Sequence, residues 1–235
     1  VRFPEVPGDK LLKAWATASK VFPQITRFFW GDIDVRWFPE ACLSHPKVKG
    51  FYTVRHFIEG DTMPESGILN IRLWRERSIK QQAMDGVTPL QVAENLQGFA
   101  RETLRLAAKM RPLQGKNKEL RLTLGDLEAF AHLGNYYSEK ILGAADLALF
   151  DVTAEPEQRK SAVEHLEAAR DHWKQYATVA GRQYRSQLLN RAGYVDLNAL
   201  TENVGRDIEM ARDWQPGTVK RDTKTFSGAD RPFAP

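Results

Sequence analysis

With 235 residues, 42% hydrophobic and 27% charged, the chain has the composition of a folded globular protein rather than a disordered one. Its net charge of +4 is too small to mark a nucleic-acid-binding surface, which would carry a concentrated basic stripe. The single cysteine, Cys42, excludes an internal disulfide and a cysteine-rich metal site, and no apolar run approaches the roughly 20 residues of a membrane span.

The chain opens Val1-Arg2-Phe3-Pro4, without methionine, and reads as a piece of a longer protein. Lys10 to Val21 is expected to be a helix with Leu11, Leu12, Trp15 and Ala18 on one face, stopped by Pro23. Gln24 to Trp30 alternates and is rich in β-formers, so the expectation there is a strand broken by Gly31. A loop follows, with a short helix from Pro39 to Leu43. Thr53 to Glu59 reads as a helical turn, Asp61 to Gly67 as a loop, and Ile68 to Met84 as mostly helix.

From residue 88 the pattern is wholly helical. Thr88-Pro89 is an N-cap followed by a first-turn proline, and Val92, Leu96, Phe99, Thr103, Leu106 and Met110 recur at helical spacing up to Pro112. Leu120, Leu124, Leu127, Ala131, Gly134, Ser138, Ile141, Ala145 and Ala148 step by fours and threes, the seam of a helix packed against near-parallel neighbours. Asp151 to Glu157 is the next turn. Val163, Leu166, Trp173, Ala177, Ala180, Tyr184 and Leu188 mark a third long helix, and Asp196 caps a fourth with Leu197, Leu200, Val204, Ile208 and Ala211 on its face. Short connections make neighbours antiparallel. The expected class is mainly α: an antiparallel bundle over 88–214, preceded by a small α/β segment over 1–84, with 215–235 as tail or linker.

The densest chemistry lies in "FFWGDIDVRWFPE", residues 28–40. Tryptophan rings stack on the apolar faces of sugars, and carboxylates accept hydrogen bonds from hydroxyls. Glycoside cleavage in most families needs two carboxyl groups across the scissile bond, one acid and one base or nucleophile. Asp32, Asp34 and Glu40 are therefore the candidate catalytic acids, with Trp30, Trp37 and Arg36 as candidate substrate contacts. Side chains alternate along an extended segment, so Asp32 and Asp34 need not share a face. The competing reading is a core-filling loop whose acids pair with Arg27 and Arg36.

Other motifs are weaker. His45, His56, His132, His165 and His172 are scattered, and no His-Glu-x-x-His, phosphate-cradling glycine loop or Gly-x-Ser-x-Gly elbow occurs. No metal or cofactor is expected. Tyr136, Tyr137 and Glu139 could reach a ligand from mid-helix, though tyrosines at this spacing usually pack. Arg182-Gln183-Tyr184-Arg185 and Arg191 form a basic run best explained as a solvated face.

The segments "ITRFFWGDIDVRWFPEACLS", "GVTPLQVAENL", "LGNYYSEKILGAADLALF" and "HWKQYATVAGRQYRSQLLNRAGYVDL" together resemble the C-terminal third of large bacterial glycoside-hydrolase-like proteins of the α-glucuronidase type. In that family an α/β barrel precedes a helical domain, and some relatives are described as carbohydrate-binding. The resemblance implies that residues 10–84 hold the last strand and helices of a (β/α)8 barrel, and that the whole protein is periplasmic or secreted. It implies a carbohydrate substrate, with a decorated or acidic polysaccharide hydrolysed. Arg27, Arg36 or Arg55 would then meet a uronate carboxylate. The alternative is a non-catalytic helical module for sugar binding or protein interaction.

Overall fold

The computed structural model describes residues 2–30, 52–189 and 193–219. Among them run eight α-helices: α1 (Gly8–Ala18), α2 (Val21–Phe28), α3 (Val54–Glu59), α4 (Ile71–Ile79), α5 (Pro89–Met110), α6 (Lys118–Thr153), α7 (Pro156–Gly181) and α8 (Leu200–Arg212). A 3-10 turn, Arg111–Leu113, follows α5. Between α7 and α8 lies one small antiparallel hairpin, β1 (Gln187–Leu189) with β2 (Gly193–Val195), in which Leu188 pairs with Tyr194 in register. The mainly-α class expected from the periodicity is what the chain forms.

The long helices begin where their caps place them. Thr88 and Gln91 form a reciprocal capping box: Thr88 Oγ1 accepts from Gln91 N at 3.2 Å, and Gln91 Oε1 accepts from Thr88 N at 2.9 Å. Pro89 follows at N1, where its missing N–H would have had no helical partner. Asn117 Oδ1 accepts from Leu120 N at 3.0 Å and opens α6. That helix has 36 residues, which at 1.5 Å per residue gives a rod of about 54 Å. Every residue of the four-three seam from Leu120 to Ala148 is buried, so α6 is the central helix of the bundle. It ends at Ala154 in the left-handed conformation, φ 58°, and Pro156 starts α7 within two residues. Asp196 Oδ1 accepts from Asn198 N at 2.9 Å and Ala199 N at 3.1 Å, which sets the entry to α8.

Two glycines of α6 set how closely its neighbours approach. A Cβ on Gly134 would lie 3.2 Å from the Val21 side chain, and one on Gly143 would lie 2.9 Å from that of Leu166. These glycines let α2 and α7 approach α6. Ala145 is enclosed by Leu69 and Trp74. Tyr136, Tyr137 and Trp173 form a buried aromatic stack, with Tyr136 5.1 Å from Trp173 edge to face. Trp173 Nε1 donates to Leu197 O at 3.1 Å, so its one polar atom is satisfied.

Several expectations are corrected. Residues 24–28 are not strand but the body of α2. Val21, Ile25 and Phe28 are buried at i, i+4 and i+7, a helical face that outweighs the apparent alternation. Pro23 does not end the first helix. It sits in the first turn of α2, where a proline costs no hydrogen bond, and the break falls earlier, at Ser19. No barrel strand therefore occurs among the described residues of the N-terminal part, and α2 and α3 share one apolar core with α5, α6 and α7. Leu12 is 71% exposed, whereas Ala14 takes the buried position on α1. Helix α4 is shorter than expected, and Ile68 instead makes a parallel bridge with Val87. Tyr184 and Leu188 lie beyond the end of α7. Residues 214–219 are fastened to the bundle by Asp151, whose Oδ1 accepts from Trp214 Nε1 at 2.9 Å and Thr218 N at 2.8 Å.

Candidate functional site

Of the expected site residues, Asp32, Asp34, Arg36, Trp37 and Glu40 lie outside the described residues, as do Cys42 and His45. Trp30 is described and half-buried. Its N–H donates to Asp61 O at 2.7 Å, and one turn earlier Arg27 O accepts from Met63 N at 2.8 Å. The chain thus reaches residue 30 held against the 61–63 loop.

Tyr52 lies beside Phe29. The Phe29 ring stacks on Phe57 at 4.9 Å and meets Tyr52 edge to face at 4.8 Å. Gly60 makes this possible, because a Cβ there would sit 2.7 Å from the Phe29 ring and from His56 O. Residues 29 and 52 therefore form an aromatic clasp.

Beneath the clasp lies a buried ion pair. Lys140 Nζ on α6 is 2.8 Å from Asp207 Oδ2 on α8, and both side chains are almost wholly enclosed. Lys140 Nζ also donates to Tyr52 O at 2.5 Å and Tyr136 Oη at 3.2 Å, and it lies 4.9 Å from the Phe57 ring centre. Asp207 Oδ1 accepts from Val54 N at 2.7 Å. Burial pushes the Asp207 carboxyl above the usual carboxylate range, while Lys140 and the Val54 N–H oppose that rise. His56, in the same environment, is pushed down to about 4, first by burial and then by the Lys140 and Arg55 charges. It is neutral at pH 7, and its Nδ1 accepts from Thr53 N at 3.0 Å. These ionisable groups are occupied with the backbone of residues 52–54. Their arrangement suits positioning rather than proton transfer to a ligand.

Next to Trp30, Asp61 Oδ1 accepts from Arg72 Nη2 at 3.1 Å and from Asn70 Nδ2 at 3.3 Å. Asn70 in turn caps α4 through Leu73 N at 2.8 Å. Asp61 thus links the exit of α2 to the start of α4. By sequence Asp61 is only a turn residue; the signal for its role is the N-cap asparagine nine positions later. Arg55, one of the arginines considered for a uronate, is taken by Glu59 at 2.9 Å one turn on.

A second polar cluster joins α5, α6 and α7. His165 Nδ1 is 2.7 Å from Glu139 Oε2, and Gln97 Nε2 donates to Glu139 Oε1 at 3.1 Å. His165 Nε2 is 3.8 Å from Asp146 Oδ2, which accepts from Ser161 Oγ at 2.6 Å. The Glu139 hydrogen bond raises the His165 pKa, and desolvation raises that of Asp146. Ser161 bonds the carboxylate and not the imidazole, so the trio lacks the base-to-hydroxyl contact that activates a nucleophile. Glu139, considered as a ligand contact, is consumed within the protein. Among the described residues no group of three His, Cys, Asp or Glu has an arrangement suited to a metal ion. Tyr136 and Tyr137 are core residues, and Tyr184 donates to Asp126 Oδ1 at 2.7 Å, so the aromatic of the basic run is tied to the bundle.

No helix among the described residues is long and apolar enough to cross a membrane. No family model and no curated protein sequence matches the chain. Its fold is similar to that of a GH138 enzyme targeting pectin rhamnogalacturonan II, with a TM-score of 0.67 and 15% identity. The match covers 90% of this chain and 34% of the other, so the chain spans a minor part of that enzyme's length. At this identity the likeness is one of fold: a mainly-α architecture shared with part of a glycoside hydrolase chain.

Proposed function

We propose that the chain is part of a carbohydrate-active protein, the helical portion of a glycoside hydrolase of the α-glucuronidase type acting on a decorated or acidic polysaccharide. The observation that carries this reading is the fold shared over 90% of the chain with an enzyme that targets a pectic polysaccharide. In this reading residues 1–84 adjoin the substrate and residues 88–214 buttress them. Asp32, Asp34 and Glu40 supply the acid and the base or nucleophile, while Trp30, Trp37 and Arg36 hold the sugar. The aromatic clasp of Phe29, Tyr52 and Phe57 supports it, because it closes the ends of the segment bearing those residues onto a rigid core. The protein works outside the cytoplasm, where such polysaccharides are met.

A specific observation favours a second reading, a non-catalytic carbohydrate-binding or interaction module. Among the described residues, the two buried acids, Asp151 and Asp207, are engaged with Trp214 and with Lys140 rather than facing an opening.

The test uses the intact protein and its Asp32→Asn, Asp34→Asn and Glu40→Gln variants, each nearly isosteric. Release of reducing ends from pectic oligosaccharides and affinity for the same oligosaccharides are measured on variants with unaltered Tm. A catalytic group among the three lowers turnover by about 10²-fold or more with binding retained. Normal turnover in all three removes them from the chemistry. Binding without any turnover in the unmodified protein selects the module, and neither binding nor turnover rejects a carbohydrate role.

A further inference from the structure

Along the outer face of the bundle, α7 and α8 enclose a groove of about 280 Å³ lined by Arg170, Arg206, Arg212, Glu202, Glu209 and Gly205. Three arginines from two helices line it, and each is in an ion pair whose side chains are at least partly exposed. Arg206 Nη2 meets Glu202 Oε1 at 3.3 Å across one exposed helical turn, a contact type that contributes little. Arg212 Nη2 meets Glu167 Oε1 at 2.5 Å, again with both side chains exposed. Arg170 differs: its Nε is buried and makes no hydrogen bond, and the Asp171 carboxylate stands 3.6 Å away. Gly205 completes the groove, because a Cβ built on it meets no atom within 4 Å.

We propose that this groove binds a carboxylate-bearing sugar, a uronate residue, at a place separate from the aromatic–acidic segment. The inference rests on the carbohydrate reading above and names the class of sugar. Guanidinium presents a planar fork of N–H donors that matches a carboxylate with two parallel bonds. Glu202 and Glu209 line the same space and accept hydrogen bonds, which suits the hydroxyls of a pyranose ring. Those two carboxylates also repel a bare, doubly charged anion, so the lining selects a ligand with one acidic group and several hydroxyls. A groove of this size lies near the small end of ligand sites, which fits one sugar unit rather than a long chain. The site is built by the packing of α8 on α7, so one helix alone does not hold it.

The experiment titrates the protein with D-glucuronate, D-glucose and inorganic phosphate, following backbone amide shifts and heats of binding. Glucuronate is expected to bind at least tenfold more tightly than glucose or phosphate, with amide shifts centred on residues 202–212. Two variants locate it. Arg206→Gln removes one fork, and Gly205→Leu fills the groove from an open position. Each is expected to weaken glucuronate binding at least tenfold, with the Gly205→Leu protein equally or more heat-stable because leucine favours helix over glycine. Equal binding of glucuronate and glucose overturns the proposal, as does preference for phosphate, absence of binding, or unaltered binding in both variants. A protein that still binds pectic oligosaccharide while failing these tests loses the groove and keeps the carbohydrate role. Loss of oligosaccharide binding in the groove-intact protein bears on the broader reading instead.

Discussion

Replacing Lys140 by methionine tests the buried ion pair beneath the aromatic clasp. The change keeps the length of the stem and removes the ammonium, leaving Asp207 buried opposite an apolar group. Breaking a buried ion pair from one side costs about 3–5 kcal/mol, a large part of the roughly 5–15 kcal/mol that holds a domain folded. Asp207→Leu strands the other charge at similar cost, so independent effects would sum to about 6–10 kcal/mol. The double variant has neither stranded charge. What it loses is the Lys140 donor to Tyr52 O and the Asp207 acceptor of Val54 N–H, at about 1–3 kcal/mol each. Its expected cost is thus about 2–6 kcal/mol, well below the sum. Urea unfolding followed by far-ultraviolet circular dichroism, with the denaturant slope checked for constancy, measures all four proteins. A single Lys140→Met cost under about 1 kcal/mol, or a double variant equal to the sum of its singles, would refute the coupling argued from this geometry.

Three further sites give sharp expectations. Ala145 is fully enclosed by Leu69 and Trp74, so Ala145→Phe should overpack the seam and cost about 1–3 kcal/mol; an unaltered Tm would show that the site has room. The two histidines act in opposite senses. His56 has its pKa lowered to about 4 from 6.5, so its stabilising contribution is present above pH 6.5 and is lost as pH falls toward 4, by about 3 kcal/mol in all. The stability of His56→Gln should therefore depend less on pH across that window, as read from Tm at half-unit steps. His165 has its pKa raised by Glu139, so its contribution is complete below pH 6.5 and is lost as pH rises through the folded value. The Tm gap between the native protein and His165→Gln should be wider at pH 6 than at pH 8.5, and a constant gap would show that the Glu139 contact does not depend on the imidazolium.

Much of this architecture is local in origin and so is readable from residue order. The seam of α6 is a four-three repeat sustained along most of the helix, and helical periodicity is a property of neighbours on one chain. The capping of α5 by Thr88 is likewise settled within three residues, and so is the Asp196 turn that leads into α8, although Asp196 lies ahead of the N-cap, Ala199. Residues 21–30 mislead because a short run of aromatic and β-branched side chains satisfies two periodicities at once. Contact with α5 and α6 decides for helix, since that conformation alone places Val21, Ile25 and Phe28 on one buried face.

What tertiary structure alone decided is where the charges went. Nothing near Lys140 in the sequence marks it as buried, because its partners Tyr52 and Asp207 lie 88 and 67 positions away along the chain. Asp207 similarly binds the backbone N–H of Val54 across 153 positions. The Arg170–Arg206–Arg212 groove exists only where α7 and α8 lie side by side. A helical repeat is written in the spacing of one segment, whereas a charge is stabilised or exposed by whatever the fold brings to it, and that is fixed by packing between segments distant in sequence.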